Sequence, residues 1–532
     1  MSGPSPLRRR LLQATLLGLG ARSLPGLAAL LPVRGFTHGI ASGEPSPRSL
    51  LLWTRFVADQ DTPLRIEVAT DARFRRIVGG GSTLALAERD FTARLTIDGL
   101  QPGQDYHYRF TAPDGTHSPV GRARTLPEGE VRRFGLALFS CANLPAGWFN
   151  AYAHAAARDD LDLVVHVGDY LYEYAQGVYP DAKSSLPRRL LVPAHEMVTL
   201  TDHRRRYACY RADPDLQALH ARHAMVAQYD DHELANDAWR DGAENHQPAS
   251  EGDWATRRDI ALRVWQEWMP VSDAPWTRYD IGSLATLFKA ETRLAGRSPP
   301  LVPREPLVAF RDTEWRDPRR TLLGTVQEAW LHQGLTESRR AGVRWQVLAQ
   351  QVVMGELRMP PEIAGWLPPD APAYLQRGVA LGTAAAREGL PFNLDSWGGF
   401  PAARERLLRA ALSTDSRLVV LSGDSHNAWG NDLMVDGEHA GVEFACQAVS
   451  SPGYEGYLPR TAPADLAAAL RRTNPGIAFC ETSRRGYLSL QLTPTEATGT
   501  WHFLHTVRER DTGLATEARR ITRGGSRRLT ET

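Results

Sequence analysis

The chain has 532 residues, a length that predicts two domains rather than a single core. Its composition is that of a globular protein, with 42% hydrophobic and 23% charged residues. The formal net charge of +1 argues against a nucleic-acid partner, because proteins that bind nucleic acids usually carry a clear basic excess.

Residues 1–35 have the features of an export signal. Arg8, Arg9 and Arg10 precede the apolar stretch LLQATLLGLGA, which is too short to cross a bilayer that needs ~20 apolar residues. Arg-Arg-x-Leu-Leu is typical of a twin-arginine signal, so the twin-arginine machinery is an expected partner, with an ordinary secretory signal as the alternative. No later stretch resembles a transmembrane helix, and the mature protein is expected in the periplasm or secreted.

Residues 36–125 show short alternating runs separated by turn residues. In PLRIEVAT the apolar residues Leu64, Ile66 and Val68 occupy one face of a strand. FTARLTIDGLQPGQDYHYRF repeats the alternation on both sides of a Pro-Gly turn. The pattern predicts a small all-β sandwich, of immunoglobulin or fibronectin III type, with a structural or docking role.

A polar linker at residues 126–133 leads into a second region, residues 134–520. Apolar strands there alternate with helical patterns such as AARERLLRAALS, which indicates an α/β organisation. The Arg-rich tail, residues 521–532, is expected to be frayed.

The chain has four cysteines, at positions 141, 209, 446 and 480. Because exported proteins can form disulfides, Cys446 and Cys480 are the pair expected to be bonded. No Cys-x-x-Cys occurs, which argues against a closed structural zinc site.

Four apolar runs of the second region end in unusual polar groups. In α/β sheets ligands bind at the carboxyl ends of strands, so these ends are candidates for one shared site. Taken singly, each has an ordinary explanation, such as a buried cysteine, a turn or a helix cap. The four polar segments are Ser140–Asn143, Gly168–Tyr172, Asp230–Glu233 and Ser422–His426.

Several familiar chemistries are excluded by the absence of their motifs. The chain contains no P-loop, no His-Glu-x-x-His and no Gly-x-Ser-x-Gly elbow. What remains is a mixed oxygen, nitrogen and sulfur site. Such ligands suit more than one cation bridged by a shared carboxylate, an arrangement used in phosphoryl transfer.

Gly-Asp-x-x-Tyr, an Asp-His pair and a late Gly-x-x-His occur in the order found in calcineurin-like metallophosphatases. More narrowly, SCAN, GDYLYEY, YDDHELANDAW and LSGDSHNAW resemble the PhoD-type alkaline phosphatases, with supporting fragments from residues 39–55 to 450–459. The resemblance implies an α/β (α+β) chain. Its catalytic domain would be a calcineurin-like β-sandwich flanked by helices, preceded by the small β-domain.

The resemblance also implies a ferric ion and calcium ions. It assigns the iron to Cys141, Asp169, Tyr172 and Asp424. It assigns the calcium side to Asp231 and His426, with Asp169 bridging and Asn143 as a further ligand. His232 matches the active-site imidazole that does not bind metal. Two positions depart from the family pattern, Asp237 in place of an Asn and Glu291 in place of an Asp.

The expected function is an exported phosphatase that acts on phosphate monoesters. A phosphodiesterase, acting at the same site on phospholipid head groups, nucleotides or wall polymers, is the alternative, with residues 183–220 as a lid that selects the substrate. A non-catalytic surface-binding protein is the alternative from another class. Arg211 and Arg293 are both candidates for contacting the substrate.

Overall fold

The computed structural model describes residues 34–369, 371 and 373–531. Nearly all of the predicted signal, residues 1–33, lies outside the described residues. Within the described part of the chain, no helix combines the length and apolar character needed to cross a membrane.

Seven strands form the N-terminal all-β sandwich, which confirms the predicted β-domain. One sheet has the order β1-β2-β5 and the other β4-β3-β6-β7, and every pair within them is antiparallel. The predicted alternation holds, since Leu64, Ile66 and Val68 are all buried. The strands are β1 Gly35–Gly43, β2 Leu50–Val57, β3 Thr62–Ala69, β4 Ile77–Ala85, β5 Thr92–Ile97, β6 Asp105–Thr111 and β7 Gly121–Arg124.

A second, larger sandwich follows. Its first half carries strands that extend the β1-β2-β5 sheet, namely β8 Phe134–Phe139, β9 Leu163–His166, β10 Met225–Ala227, β18 Gly486–Leu492, β19 Glu496–Leu504 and β20 Leu514–Arg523. Its second half contains β11 Thr277–Ile281, β12 Ala285–Lys289, β13 Trp345–Ala349, β14 Leu418–Ser422, β15 Ala428–Val435, β16 Glu438–Ala445 and β17 Ile477–Glu481. Leu136 and Val165 of the first sheet share one core with Val347 and Val419 of the second.

Helices cover both outer faces of this sandwich, as predicted for a calcineurin-like domain. Trp268 and Leu219 pack with Phe139 and Val164 on one face, whereas Leu331 and Leu407 pack with Val420 on the other. The helices are α1 Asn150–Ala156, α2 Leu200–Arg211, α3 Pro214–Arg222, α4 Pro248–Glu251, α5 Trp254–Trp268, α6 Leu307–Phe310, α7 Thr325–Arg340, α8 Ile363–Trp366, α9 Ala373–Arg387, α10 Pro401–Ser413 and α11 Pro463–Thr473.

The N-terminal domain is joined to the catalytic domain by backbone pairing. Gly43 of β1 pairs in parallel with Met225 of β10, so a single nine-stranded sheet runs through both domains. Beside this junction, Lys289 lies 3.4 Å from Glu44, whose carboxylate also accepts a hydrogen bond from Tyr279. The two domains therefore share a sheet, a core and a buried ion pair.

The prediction that residues 521–532 form a frayed tail is wrong. Strand β20 runs to Arg523, and the chain then turns back so that Ile521 and Thr530 form a β-bridge. Leu529 is buried, and Arg527 pairs with Asp415. The apolar residues at 521 and 529 anchor the basic segment because each points into the core.

The expected disulfide between Cys446 and Cys480 is also wrong, since all four cysteines are free. Trp429 of β15 pairs with Ala445 of β16 on one side and with Cys480 of β17 on the other. Two strand spacings, ~10 Å, therefore separate β17, which contains Cys480, from β16, which ends one residue before Cys446. A disulfide needs Cα atoms within about 7 Å.

Glu44→Gln is expected to destabilise the protein by about 3 kcal/mol, because it leaves the buried Lys289 ammonium without its counter-charge. Urea denaturation would measure the loss. The control is Glu128→Gln, which removes an exposed pair with Arg48 and should cost no more than ~1 kcal/mol. Equal losses in the two variants would contradict a role for the junction pair.

Candidate metal centre and active site

The four polar strand ends meet at one rim of the larger sandwich. Strands β8, β9 and β10 bring them from the first sheet, and β14 brings the fourth from the second sheet. Cys141, Asp169, Asp424 and His426 all have a left-handed backbone, with φ between 51° and 62°. Left-handed backbone is uncommon outside glycine, and its concentration at candidate ligands is typical of functional sites.

The first group of possible ligands consists of Cys141, Asp169 and His426. Their ligand atoms all lie within 4.8 Å of one another. The Tyr172 hydroxyl donates to Asp169 Oδ2 at 2.8 Å, lies 3.1 Å from His426 Nε2 and accepts from Ser451. One thiol, one carboxylate, one imidazole and one phenol therefore converge at this point.

The second group shares Asp169 with the first. Asp169, Asp231 and His232 again have ligand atoms within 4.8 Å of one another. Asp169 Oδ1 and Asp231 Oδ1 are buried but accept no hydrogen bond within the described residues. Leaving Asp169 Oδ1 bare in the interior is costly, so this oxygen fits a bound cation, whereas Asp231 Oδ1 has the Arg293 guanidinium 3.5 Å away.

A third group contains Asp230, Asp231 and Asp424, and it connects the two sheets. Asp230 was not singled out from the sequence, yet it is fully buried with one bare oxygen, Oδ2. The Arg293 guanidinium contacts all three carboxylates. Burial raises the pKa of Asp231, but Arg293 and His232 outweigh burial and lower this pKa to about 2.

This grouping differs from the division implied by the family resemblance. His426, expected on the calcium side, lies with Cys141 and Asp169, whereas Asp424, expected on the iron side, lies with Asp231. Asn143 is fully buried, and its side-chain oxygen accepts no hydrogen bond within the described part of the chain. The structure thus brings every predicted ligand to one rim, in a different arrangement.

Burial controls the ionisation of the first group. It raises the pKa of both the Cys141 thiol and the Tyr172 phenol well above the usual range, and the Asp169 carboxylate adds to the effect. Without a bound cation, burial therefore favours the neutral thiol and the neutral phenol. A bound cation reverses this preference, because it stabilises the thiolate and the phenolate directly.

The His232 ring is fixed from two sides. Its Nδ1 lies 2.8 Å from Glu173 Oε2, and its ring centroid lies 4.2 Å from that of Tyr172. Burial would lower the pKa of His232, but Glu173 and Asp169 outweigh it and raise this pKa well above the usual range. Glu173 therefore favours the protonated imidazole through Nδ1, and the second ring nitrogen, Nε2, is not used by Glu173.

Two buried glutamates that hold the site in place, Glu173 and Glu233, were not identified from the sequence. Glu173 orients His232, and it also accepts a hydrogen bond from the Asn236 amide. Glu233 accepts from the backbone amides of Asp169, Tyr170 and Asp230. Glu233 ends the polar segment after β10 and Glu173 comes one residue after the segment that follows β9, so their positions were the only signal. Nothing in the sequence distinguished them from surface charges.

The two arginines that were candidates for contacting the substrate, Arg211 and Arg293, are both buried away from it. Arg211 is buried 4.2 Å over the Trp53 ring, where its Nη1 lies 3.4 Å from the Tyr170 hydroxyl. Arg293 is completely buried among carboxylates. Burial leaves neither guanidinium open to substrate.

The predicted lid at residues 183–220 is largely wrong. Helices α2 and α3 occupy residues 200–222 and bury Tyr207 and Leu216 in the core of the first sheet. Residues 183–199 of the predicted range are irregular and continue the segment 175–199, which reaches the site at Tyr179, whose hydroxyl lies 3.2 Å from His426 Nδ1. The buried Arg206 binds the Pro193 and His195 carbonyls and so fastens that segment to α2.

Comparison with known proteins agrees with this geometry. The PhoD-like phosphatase family matches residues 136–501, and its N-terminal domain matches residues 28–127. Alkaline phosphatase D of Bacillus subtilis (strain 168) is 32% identical over 517 residues, which cover 91% of this chain and 80% of that protein. A solved structure of PhoD has a TM-score of 0.78 at 30% identity and covers 94% of this chain and 93% of that chain.

The fold and the cluster of possible metal ligands thus define a hydrolase of the phosphatase class. The chain belongs to the PhoD-like phosphatase family, and its relationship to alkaline phosphatase D extends over both domains.

Glu233→Gln is expected to cost about 2 kcal/mol in stability, because its amide group cannot accept hydrogen bonds on both sides. Phosphatase activity should fall with it, since Asp169 and Asp230 lose their backbone anchor. Urea denaturation and kcat/KM on a phosphate ester would measure the two effects.

The matched control is Glu443→Gln. Glu443 is also a buried carboxylate that accepts from two backbone amides, those of Met354 and Gly355, but none of its partners is a candidate ligand. We expect a similar loss of stability with a much smaller loss of activity. Wild-type stability and activity in Glu233→Gln would contradict the anchoring role.

Proposed function

We propose that this chain is an exported phosphatase that hydrolyses phosphate monoesters with a resident iron ion and calcium ions. The observation that carries the proposal is the pair of ligand groups that share Asp169, whose buried Oδ1 accepts no hydrogen bond within the described residues. Bare carboxylate oxygens in the interior are best explained by cations.

The donor chemistry supports iron on one side and calcium on the other. Cys141 and Tyr172 offer a thiolate and a phenolate, which suit a ferric ion, and Asp169 lies between them and the second group. Asp231 and the Asn143 side-chain oxygen are hard ligands that suit calcium. Asp424 and His426 complete the proposed set.

When bound, such ions would neutralise the phosphate oxygens and so favour attack on phosphorus. The remaining work falls to the protein. His232 binds Glu173 through Nδ1, which favours the protonated ring, and its second nitrogen, Nε2, would donate a proton to the departing alcohol oxygen. Stacking on Tyr172 keeps the imidazole in that orientation.

Hydrolysis of phosphodiesters at the same site is the second candidate function. Tyr174 and Tyr179 stand beside His232 and His426, with ring-centroid distances of 5.4 and 6.2 Å. These two rings and the segment 175–199 are the parts of the chain that would contact a second ester group. A non-catalytic binding protein is disfavoured, because all the proposed ligand types are present together.

Export by the twin-arginine route remains part of the proposal. Arg8, Arg9 and Arg10, which precede a short apolar stretch, support it. The protein would then act in the periplasm or outside the cell, where ester phosphate is available.

The metal assignment predicts a visible absorption band from phenolate-to-iron charge transfer. Protein exported and purified without chelator should contain about one iron per chain and calcium in excess of it, by elemental analysis. Tyr172→Phe should lose the band. Tyr174→Phe, which changes a neighbouring ring outside the proposed ligand set, should keep it. Zinc alone, or no metal and no band, would contradict the assignment.

The role of His232 predicts a dependence on the leaving group. His232→Asn should lower kcat by ~10²–10⁴-fold on an alkyl phosphate, because an alkoxide needs a proton. The loss should be much smaller on p-nitrophenyl phosphate, whose leaving group departs as an anion. His505→Asn, which changes a histidine whose side chain is 53% exposed, is the control. Equal losses on both esters would exclude proton donation by His232.

Parallel assays on p-nitrophenyl phosphate and bis(p-nitrophenyl) phosphate separate the two candidate functions. A higher kcat/KM on the monoester is expected, and a clear preference for the diester would favour the second candidate. No turnover of either compound by metal-loaded protein would favour the binding-protein alternative.

A further inference from the structure

Arg293 occupies the centre of the third acidic group. Its Nε contacts Asp230, its Nη1 lies 2.6 Å from Asp395 Oδ2, and its Nη2 lies 3.2 Å from Asp424 Oδ1 and 3.5 Å from Asp231 Oδ1. The side chain is completely buried. All three guanidinium nitrogens are thus committed to carboxylates.

Two sheets contribute to this cluster. Asp230 and Asp231 follow β10 of the first sheet, whereas Asp424 follows β14 of the second. Arg293 itself lies four residues after the last residue of β12, Lys289. The guanidinium is therefore a bridge between strand ends that belong to opposite halves of the sandwich.

The loop around Arg293 is built to hold it there. The Glu291 carboxylate accepts hydrogen bonds from the backbone amides of Arg293, Leu294 and Ala295. Glu291, one of the two departures from the family pattern, therefore points into its own loop. The loop cannot move the arginine without breaking these bonds.

Gln351 ties the same loop to both sheets. Its side-chain oxygen accepts from the Thr292 hydroxyl, and its side-chain nitrogen donates to the Tyr229 carbonyl next to Asp230. Its backbone carbonyl accepts from the Gly423 amide next to Asp424. One glutamine thus sets the distance between the loop and the two strand ends whose carboxylates Arg293 binds.

Asp395 and Arg297 support the guanidinium from the side away from the candidate ligands. Arg297 is also completely buried, and it binds both the side chain and the carbonyl oxygen of Asp395. Asp395 in turn binds Arg293 Nη1. Among the described residues Arg297 forms no hydrogen bond or ion pair with Asp230, Asp231 or Asp424, so it serves as the control.

We infer that Arg293 is a built-in cation, which fills the acidic group of Asp230, Asp231 and Asp424 in place of a metal ion and thereby positions Asp231 and Asp424 for the metal centre. The inference rests on the proposed metal-dependent function. It assigns Arg293 a positioning role and not a contact with substrate.

A guanidinium suits this role better than an ammonium or a divalent ion. Its planar fork contacts several carboxylates in fixed directions, whereas a lysine is a single point charge. Its charge is also permanent, so Asp230, Asp231 and Asp424 keep a counter-charge while exchangeable metal ions bind and dissociate. The metal ions are then left with the two groups that share Asp169 and with the Asp424 carboxylate, which Arg293 binds through Oδ1.

Arg293→Gln tests the inference through metal content. After equilibration with calcium and removal of free ion, the variant should bind one more divalent ion per chain than the wild type. With chelator present its Tm should fall by ~5 °C or more, because a buried group of carboxylates loses its cation. Added calcium should restore most of that loss.

Two controls isolate the position of the charge. Arg297→Gln removes a guanidinium that is equally buried, so its Tm should fall, but it should bind no additional ion. Arg293→Lys keeps the charge and loses the fork, so it should keep the wild-type ion count and bind calcium several-fold more weakly.

The inference is overturned if Arg293→Gln and the wild type bind the same number of ions, or if Arg297→Gln also gains one. If Arg293→Gln is insoluble, Arg293→Lys decides, and unchanged calcium affinity in that variant overturns the positioning role. Failure of the proposed function is distinct, because the wild type would then contain no metal.

Discussion

The burial of Asp169, Asp230 and Asp231 beside the half-buried Asp424, where two sheets meet, is the constraint on which the rest of the site depends. Each desolvated carboxylate costs several kcal/mol unless a cation or donor compensates it. Arg293 supplies one cation, and backbone amides of the turns donate hydrogen bonds. The carboxylate oxygens that accept no hydrogen bond within the described residues indicate where further cations belong. The left-handed backbone at Asp169 and Asp424 is tolerated because these turns aim both carboxylates inward.

The same constraint explains why the N-terminal domain is fused so closely to the catalytic domain. Strand β10 carries Asp230 and Asp231 directly after its last residues, and its neighbour in the sheet is β1 of the N-terminal domain. β10 has only three residues, Met225–Ala227, so its position depends on both of its neighbours. The Glu44–Lys289 pair closes the same junction on the side of β12, which leads to Arg293. A structural β-domain thus supports one edge of the active site.

Much of the chemistry was predictable from local patterns. The runs FGLALF and LVVL are buried on both faces, and the polar segments after them do converge. Cys141, Asp169, Tyr172 and Asp231 could be singled out because thiols, phenols and carboxylates rarely follow buried strands. Glu173 and Glu233 could not, since a glutamate in a charged segment looks the same whether it faces solvent or anchors a turn.

The sequence by itself determined the β-strands, because alternating apolar and polar residues, or continuous apolar runs, reflect which sides of a strand are buried. It also determined which residue types stand at the strand ends. Only the tertiary structure decided how those ends are grouped, which places His426 beside Cys141 and Asp424 beside Asp231. Only the tertiary structure also placed Arg211 over the Trp53 ring and Arg293 among carboxylates, and it separated Cys446 from Cys480. These outcomes depend on strand order and on contacts between residues far apart in the chain, and no local pattern encodes such contacts.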